Sequence, residues 1–179
     1  AGGQLAAEYA RLNPAKVQGL VLVDAAIITT GGSPEGLSWF YQIPQIDKLG
    51  PILVSSIAQT GDDLLRRSHF DQSQVTQDVY DGYHQPLKVK GWERAFWRFA
   101  TASRKNDLLA NLGTIKTPTL LISGVADTVV PVADQTKLKA KIPGSELVLI
   151  EKSGHLPQEE QPTAFLDAFA PFMSKVSAK

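Results

Sequence analysis

The sequence has no cysteine, which excludes disulfides, thiolate nucleophiles and cysteine-built metal sites at once. It has no excess charge of either sign: 18 Lys and Arg balance 18 Asp and Glu, so the basic footprint of a nucleic-acid binder is missing and no such partner is expected. Blocks of like charge are lacking too; the largest clusters, Arg66-Arg67 and Lys88-Val89-Lys90, read as solvated faces. No apolar run reaches the roughly 18 residues that argue for a membrane span, so none is expected. His and carboxylate residues never fall at metal-ligand spacing, and no Gly-rich loop leads into Lys-Ser or Lys-Thr. Neither a metal nor a cofactor is therefore expected. Against these absences, 43% hydrophobic residues in a chain of 179 suffice for a full core, and the length suggests one domain.

Along the chain, strand and helix patterns alternate, with one large interruption. Residues 1–12 place Leu5, Tyr9 and Leu12 at helical spacing after small residues, and Asn13-Pro14 ends the segment, as the steric restriction before proline requires. A helix packed tightly on a sheet is predicted there. Val17 to Asp24 (VQGLVLVD) is a nearly continuous apolar run, the mark of a strand covered on both faces in a parallel sheet. The same signature returns at 118–123 and 146–150, with a crossover helix predicted over 132–142 and a last helix after Pro162, striped by Phe165, Phe169 and Phe172. Alternation at these lengths implies a parallel sheet.

The interruption, residues 29–105, begins at a polar turn cluster, Thr29-Thr30-Gly31-Gly32-Ser33-Pro34, and carries ten of the fourteen aromatic residues. Trp92, Phe96 and Phe99 recur at i, i+4 and i+7, one face of a helix. Taken singly, each ring reads as ordinary core. Taken together, the set reads as a lid over an apolar chamber, with Trp39, Phe40, Phe96 and Leu156 as pocket candidates.

The chemistry follows from charge. A histidine serves as base toward a weak nucleophile only when its other ring nitrogen is held and its cation stabilised, the usual task of a carboxylate. Asp127 follows one predicted strand in a Gly-x-x-Asp loop, and His155 follows the next in a Ser-Gly-His loop. Both fall beyond the carboxyl ends of neighbouring parallel strands, where open α/β sheets bind ligands. Asp24 also ends a strand and is the alternative acid. His69 and His84 lie among polar residues and read as surface or hydrogen-bonded groups, while Glu159 and Glu160 read as favourable charge near a helix amino terminus.

The opening Ala1-Gly2-Gly3, Asp-x-x-Val-Pro at 127–131 and His-Leu-Pro-Gln-Glu at 155–159 together resemble the α/β-hydrolase family from the residue after its nucleophile onward. In that family the nucleophile lies in Gly-x-Ser-x-Gly at a strand-to-helix turn, and the triad follows in the order Ser, Asp, His. The resemblance implies an α/β fold, a parallel sheet of α/β-hydrolase type with helices on both faces. It implies a core over 1–28 and 106–179 and an inserted helical cap over 29–105. It also implies a serine just before Ala1, Asp127 and His155 as catalytic acid and base, and the Ala1 backbone N–H as half of the oxyanion hole. The missing N-terminal half of the same fold is expected upstream. The implied activity is that of a serine esterase, carboxylesterase, lipase-like or lactonase type, cleaving a small, moderately apolar ester. Two other classes resemble it in fold: epoxide hydrolases and haloalkane dehalogenases with an Asp nucleophile, which usually place Trp where Ala1 stands, and non-catalytic ligand receptors.

Overall fold

Short apolar runs build the sheet. In the computed structural model, residues 2–29, 38–41, 43–55, 57–102 and 107–178 are described, apart from the side chains of 38 and 57–60. The elements run α1 (Gly2–Leu12), β1 (Leu20–Val23), α2 (Ser38–Tyr41), α3 (Pro44–Ser55), α4 (Ile57–Arg67), α5 (Gln77–His84) and α6 (Trp92–Thr101). They continue as α7 (Leu108–Asn111), β2 (Thr119–Gly124), α8 (Val132–Lys141), β3 (Glu146–Ile150), α9 (Pro157–Glu160) and α10 (Pro162–Ser177). Two compact units form: Ala1–Thr30 with Ser68–Asp71 and Asn106–Lys179, and Gly31–Arg67 with Gln72–Lys105. Residues 68–71 lie inside the range read as an insertion, yet they group with the sheet.

In the first unit the strands are parallel, in the order β1-β2-β3. Leu22 pairs with Leu121, and Ile122 with Val148. Successive side chains point to opposite faces. Leu20, Leu22 and Leu121 accordingly join Ala7, Ala10, Leu108, Leu138 and Ile142 in one core cluster. Leu120 and Ile122 join Ile150, Phe172 and Val176 in the other, with Phe165 and Phe169 packed beside them. β2 is buried along its whole length, as a central parallel strand requires. β1 is shorter than the run that announced it, starting at Leu20 rather than Val17 because Pro14–Lys16 form a short 3₁₀ turn.

α1 packs tightly on the sheet as expected, but not through the apolar residues that mark its helical spacing. Leu5, Tyr9 and Leu12 are exposed, and the helix turns Gln4, Ala7 and Ala10 inward. The reason is distance: a Cβ on Gly3 would stand 2.6 Å from Ala25 Cβ, so where Gly3, Ala7 and Ala10 meet the sheet no bulky apolar side chain fits. The bulky apolar face is left outward.

The second unit is helical in all of its described elements. Its α6 stripe also differs from expectation, since Phe96 and Phe99 are 41% and 48% exposed whereas Trp97 is buried. The indole lies against α3 where Gly50 leaves room, and its Nε1–H donates to Asp47 Oδ1 at 3.1 Å. Arg94 donates to Asp47 Oδ2 at 2.7 Å, so one carboxylate ties two positions of α6 to α3. A buried indole needs such an acceptor. That requirement, together with the gap at Gly50, turns the helix to Trp97 and away from the Phe stripe.

Candidate active site

Three parallel strands end on the same edge, and the three loops that follow them meet there. Val125 N–H donates to Ile150 O at 3.0 Å and Ala126 N–H to Ser153 O at 2.9 Å, lacing the loop after β2 to the loop after β3. The loops approach too closely for side chains at two glycines: a Cβ on Gly124 would overlap the Gly154 carbonyl, and one on Gly154 would overlap the Ser68 carbonyl.

This lacing brings Asp127 to His155. Nδ1 of His155 and Oδ2 of Asp127 are 2.8 Å apart; the Asp127 side chain is fully buried and the imidazole 28% exposed. Asp127 Oδ1 accepts the backbone N–H groups of Val129 at 2.7 Å and Val130 at 3.0 Å. Burial pushes the Asp127 carboxyl up, but the hydrogen bonds from His155, Val130 and Val129 and the histidine's charge outweigh it, leaving its pKa below the ordinary value. The same hydrogen bond raises His155; burial opposes it, and the charge of Asp127, with that of Asp24 whenever it is ionised, adds to the rise. With Nδ1 held by the carboxylate, Nε2 is the ring nitrogen left free of that contact, an arrangement chemically able to exchange a proton.

Asp24, the alternative acid, lies one residue beyond β1 with φ 41°, a left-handed conformation that Asp tolerates better than most residues. Its Oδ1 accepts from Ser123 Oγ at 2.6 Å and from Gly124 N–H at 3.3 Å, so the carboxylate bonded to His155 is that of Asp127. An oxygen of Asp24, one of Asp127 and a ring nitrogen of His155 lie within 4.8 Å of one another, a spacing at which an ion is geometrically conceivable. The hydrogen bonds already made by Asp127 account for the same proximity.

Glu160 departs from the role read for it. It is 5% exposed, and its charge faces the histidine loop instead of a helix amino terminus. Oε1 accepts Gly154 N–H at 2.7 Å, with Ser153 Oγ and Leu156 N–H at 3.4 Å, and Oε2 accepts Phe70 N–H at 2.6 Å. His155 N–H donates to Ser68 O at 2.7 Å. The amides of 154, 155 and 156 are thus all satisfied, two by one buried carboxylate and one by the 68–71 segment. The signal in the sequence is Pro157, which starts a helical turn and returns a carboxylate at 160 over the preceding loop.

Of the remaining candidates, Leu156 follows the histidine and is half-buried, while Trp39, Phe40 and Phe96 are 64%, 39% and 41% exposed in the helical unit. Trp39, Phe40, Tyr41 and Trp97 form a chain of edge-to-face rings. Ala1 lies outside the described residues. His69 is buried, and His84 Nε2 pairs with Asp62 Oδ1 at 2.7 Å.

The chain belongs to the alpha/beta hydrolase fold family, whose pattern it matches over residues 1–162. It is 24% identical over 184 residues to a monoacylglycerol lipase of Xenopus laevis, covering 99% of this chain and 53% of that one. It is 28% identical over 177 residues to a 2-hydroxy-6-oxononadienedioate/2-hydroxy-6-oxononatrienedioate hydrolase of Cupriavidus pinatubonensis, covering 92% and 56%. The chain thus spans about half the length of these curated relatives. Among solved structures, a meta-cleavage product hydrolase from Pseudomonas fluorescens superposes with a TM-score of 0.67 at 24% identity, over 97% of this chain and 61% of that one, a likeness of fold. No helix among the described residues is long and apolar enough to cross a membrane.

Proposed function

We propose that the protein is a serine hydrolase that cleaves a small, moderately apolar ester through an acyl-enzyme, with its nucleophilic serine immediately before Ala1. The observation that carries this reading is the 2.8 Å bond between a buried, charged Asp127 and a partly exposed His155. In the proposed sequence His155 Nε2 takes the serine proton as Oγ bonds the ester carbon. It then gives that proton to the departing alcohol, and water repeats the two steps to release the acid. The Ala1 N–H is proposed as one oxyanion donor, a contribution of roughly 3–4 kcal/mol in comparable sites.

Residues 29–105 are proposed as the cap, with Trp39, Phe40 and Phe96, together with Leu156 beside the histidine, recognising the apolar part of the ester. The lipase relative supports an ester, and the alpha/beta hydrolase match supports the triad order. A second reading, hydrolysis of a hydroxy-oxo-dienedioate, takes its support from the relative named for that activity. Its substrate carries two carboxylates, for which the proposed apolar side chains offer no counter-charge. An aspartate before Ala1 would instead define an epoxide hydrolase or haloalkane dehalogenase, and a residue there with no nucleophilic group would define a ligand receptor.

A fluorophosphonate probe on the full-length protein, read by peptide mass spectrometry, tests the proposal. Labelling of a serine adjoining Ala1, blocked by prior ester, is expected. Absence of labelling, with ¹⁸O from water entering an aspartate during turnover, would move the protein to the Asp-nucleophile class.

A further inference from the structure

We propose that Asp24 is held as a neutral carboxylic acid whose proton is donated to the Asp127 carboxylate, making it a positioning residue for the Asp127–His155 pair. The inference rests on the serine-hydrolase reading for its kinetic consequence only; the protonation itself follows from geometry.

Asp24 is 4% exposed, and its two oxygens are treated unequally. Oδ1 has Ser123 Oγ and Gly124 N–H as donors, whereas Oδ2 is buried and no donor reaches it. A buried anionic oxygen left without a donor is strongly disfavoured, and protonation removes that cost. The charged groups acting on Asp24 come from the loops after the other two strands: Asp127 beyond β2 and His155 beyond β3. Asp127 has donors for both of its oxygens and keeps its charge. An oxygen of Asp24 and one of Asp127 lie within 4.8 Å of each other; two carboxylates at that spacing do not both ionise readily, and the one with the orphaned oxygen takes the proton. Burial above all, then the charge and hydrogen bonding of Asp127, push the Asp24 pKa up to about 8, against the lowering by Ser123 and His155.

Protonated, Asp24 becomes a donor, and Asp127 is the acceptor whose hydrogen bonding contributes to that rise. A neutral donor steadies the Asp127 carboxylate without adding charge. An ionised Asp24 does the opposite: it sets a second negative charge against the Asp127 carboxylate and adds to the rise of the His155 pKa, disturbing the pair it otherwise steadies. Activity is therefore expected to fall as pH rises through about 8. Stability shifts the same way. A folded-state pKa raised above the unfolded 3.8 means stabilisation that is complete at low pH and lost as pH climbs through about 8.

The test uses full-length protein and an ester pH profile. Asp24→Ala should lower kcat about tenfold at pH 7. Asp24→Asn, which restores a neutral donor, should recover most of that loss and shift the alkaline limb upward by about a pH unit or abolish it. Wild type should melt lower at pH 9.5 than at pH 7, and Asp24→Asn should lose that difference. A protonated-carboxyl infrared band in wild type at pH 7, bleached by pH 9.5, settles the question even if both variants fail to fold. An unshifted alkaline limb in Asp24→Asn, or no such band, overturns the proposal. If no ester is turned over, the serine-hydrolase reading fails alone, and melting and infrared still decide the state of Asp24.

Discussion

The sheet unit and the helical unit organise their buried polar groups in different ways. In the sheet unit, Asp24 and Asp127 are buried in the loops after β1 and β2 and Glu160 at the end of α9, and the backbone amides around them supply most of their donors. In the helical unit the comparable group is Asp47, which is partly exposed and is held by side chains of α6, Trp97 and Arg94. The contrast shows where geometry is held rigidly. A carboxylate gripped by backbone donors on a parallel sheet edge cannot shift without breaking the loops, which suits groups that must hold angstrom-level positions. A carboxylate gripped by long side chains on two helices holds a packing arrangement, and an exposed ion pair of that kind contributes little, on the order of 0.5 kcal/mol.

The largest effect is expected at Asp127. Asp127→Asn should lower kcat for a chromogenic short-chain ester by about 10⁴-fold, the scale set by losing the orienting carboxylate in a Ser-His-Asp system, with little change in melting temperature. Similar large losses from Asp47→Asn would erase the distinction between the units. A smaller but broader effect is expected at Glu160. Glu160→Ala strips acceptors from the amides of Gly154, Leu156 and Phe70, and should destabilise the protein by about 3 kcal/mol in denaturant unfolding while lowering kcat more than it raises KM. An effect confined to stability would mean the histidine loop keeps its place without that carboxylate. The mildest effects belong to the helical unit. Gly50→Ala drives a methyl into the Trp97 ring and should cost about 2 kcal/mol of stability, whereas exposed Trp39→Ala should stay within about 0.5 kcal/mol and act on KM alone. A fall in kcat with Trp39→Ala would undo the division of labour from the other side.

Much of this was legible in the sequence. Unbroken apolar runs announced β1, β2 and β3, but of the three β2 alone is buried throughout, whereas β3 leaves Glu146 and Leu149 exposed. Pro162 and the Phe165, Phe169, Phe172 stripe announced α10, and the strand-end positions of Asp127 and His155 nominated them as partners. What stayed hidden was which side of each helix would turn inward. α1 shows its large apolar residues to the outside because Gly3 brings it against Ala25, and α6 turns on Trp97 because Gly50 opens a place for the indole.

The periods of the elements, the succession of strands along the chain and the residue types available at the strand ends are local properties of side-chain pattern, and the amino-acid order sets them unaided. Which carboxylate meets the histidine was left to the tertiary structure. The register pairing Val23 with Ile122 sets Asp24 beside Ser123 and Gly124, while the lacing of the β2 and β3 loops delivers Asp127 to His155. Folding likewise commits Glu160 to the amides of a loop six residues back and of a segment ninety residues away. A carboxylate's charge state and partners depend on how many donors reach it and how little water does, and both are set by neighbours that the chain brings together only when it folds.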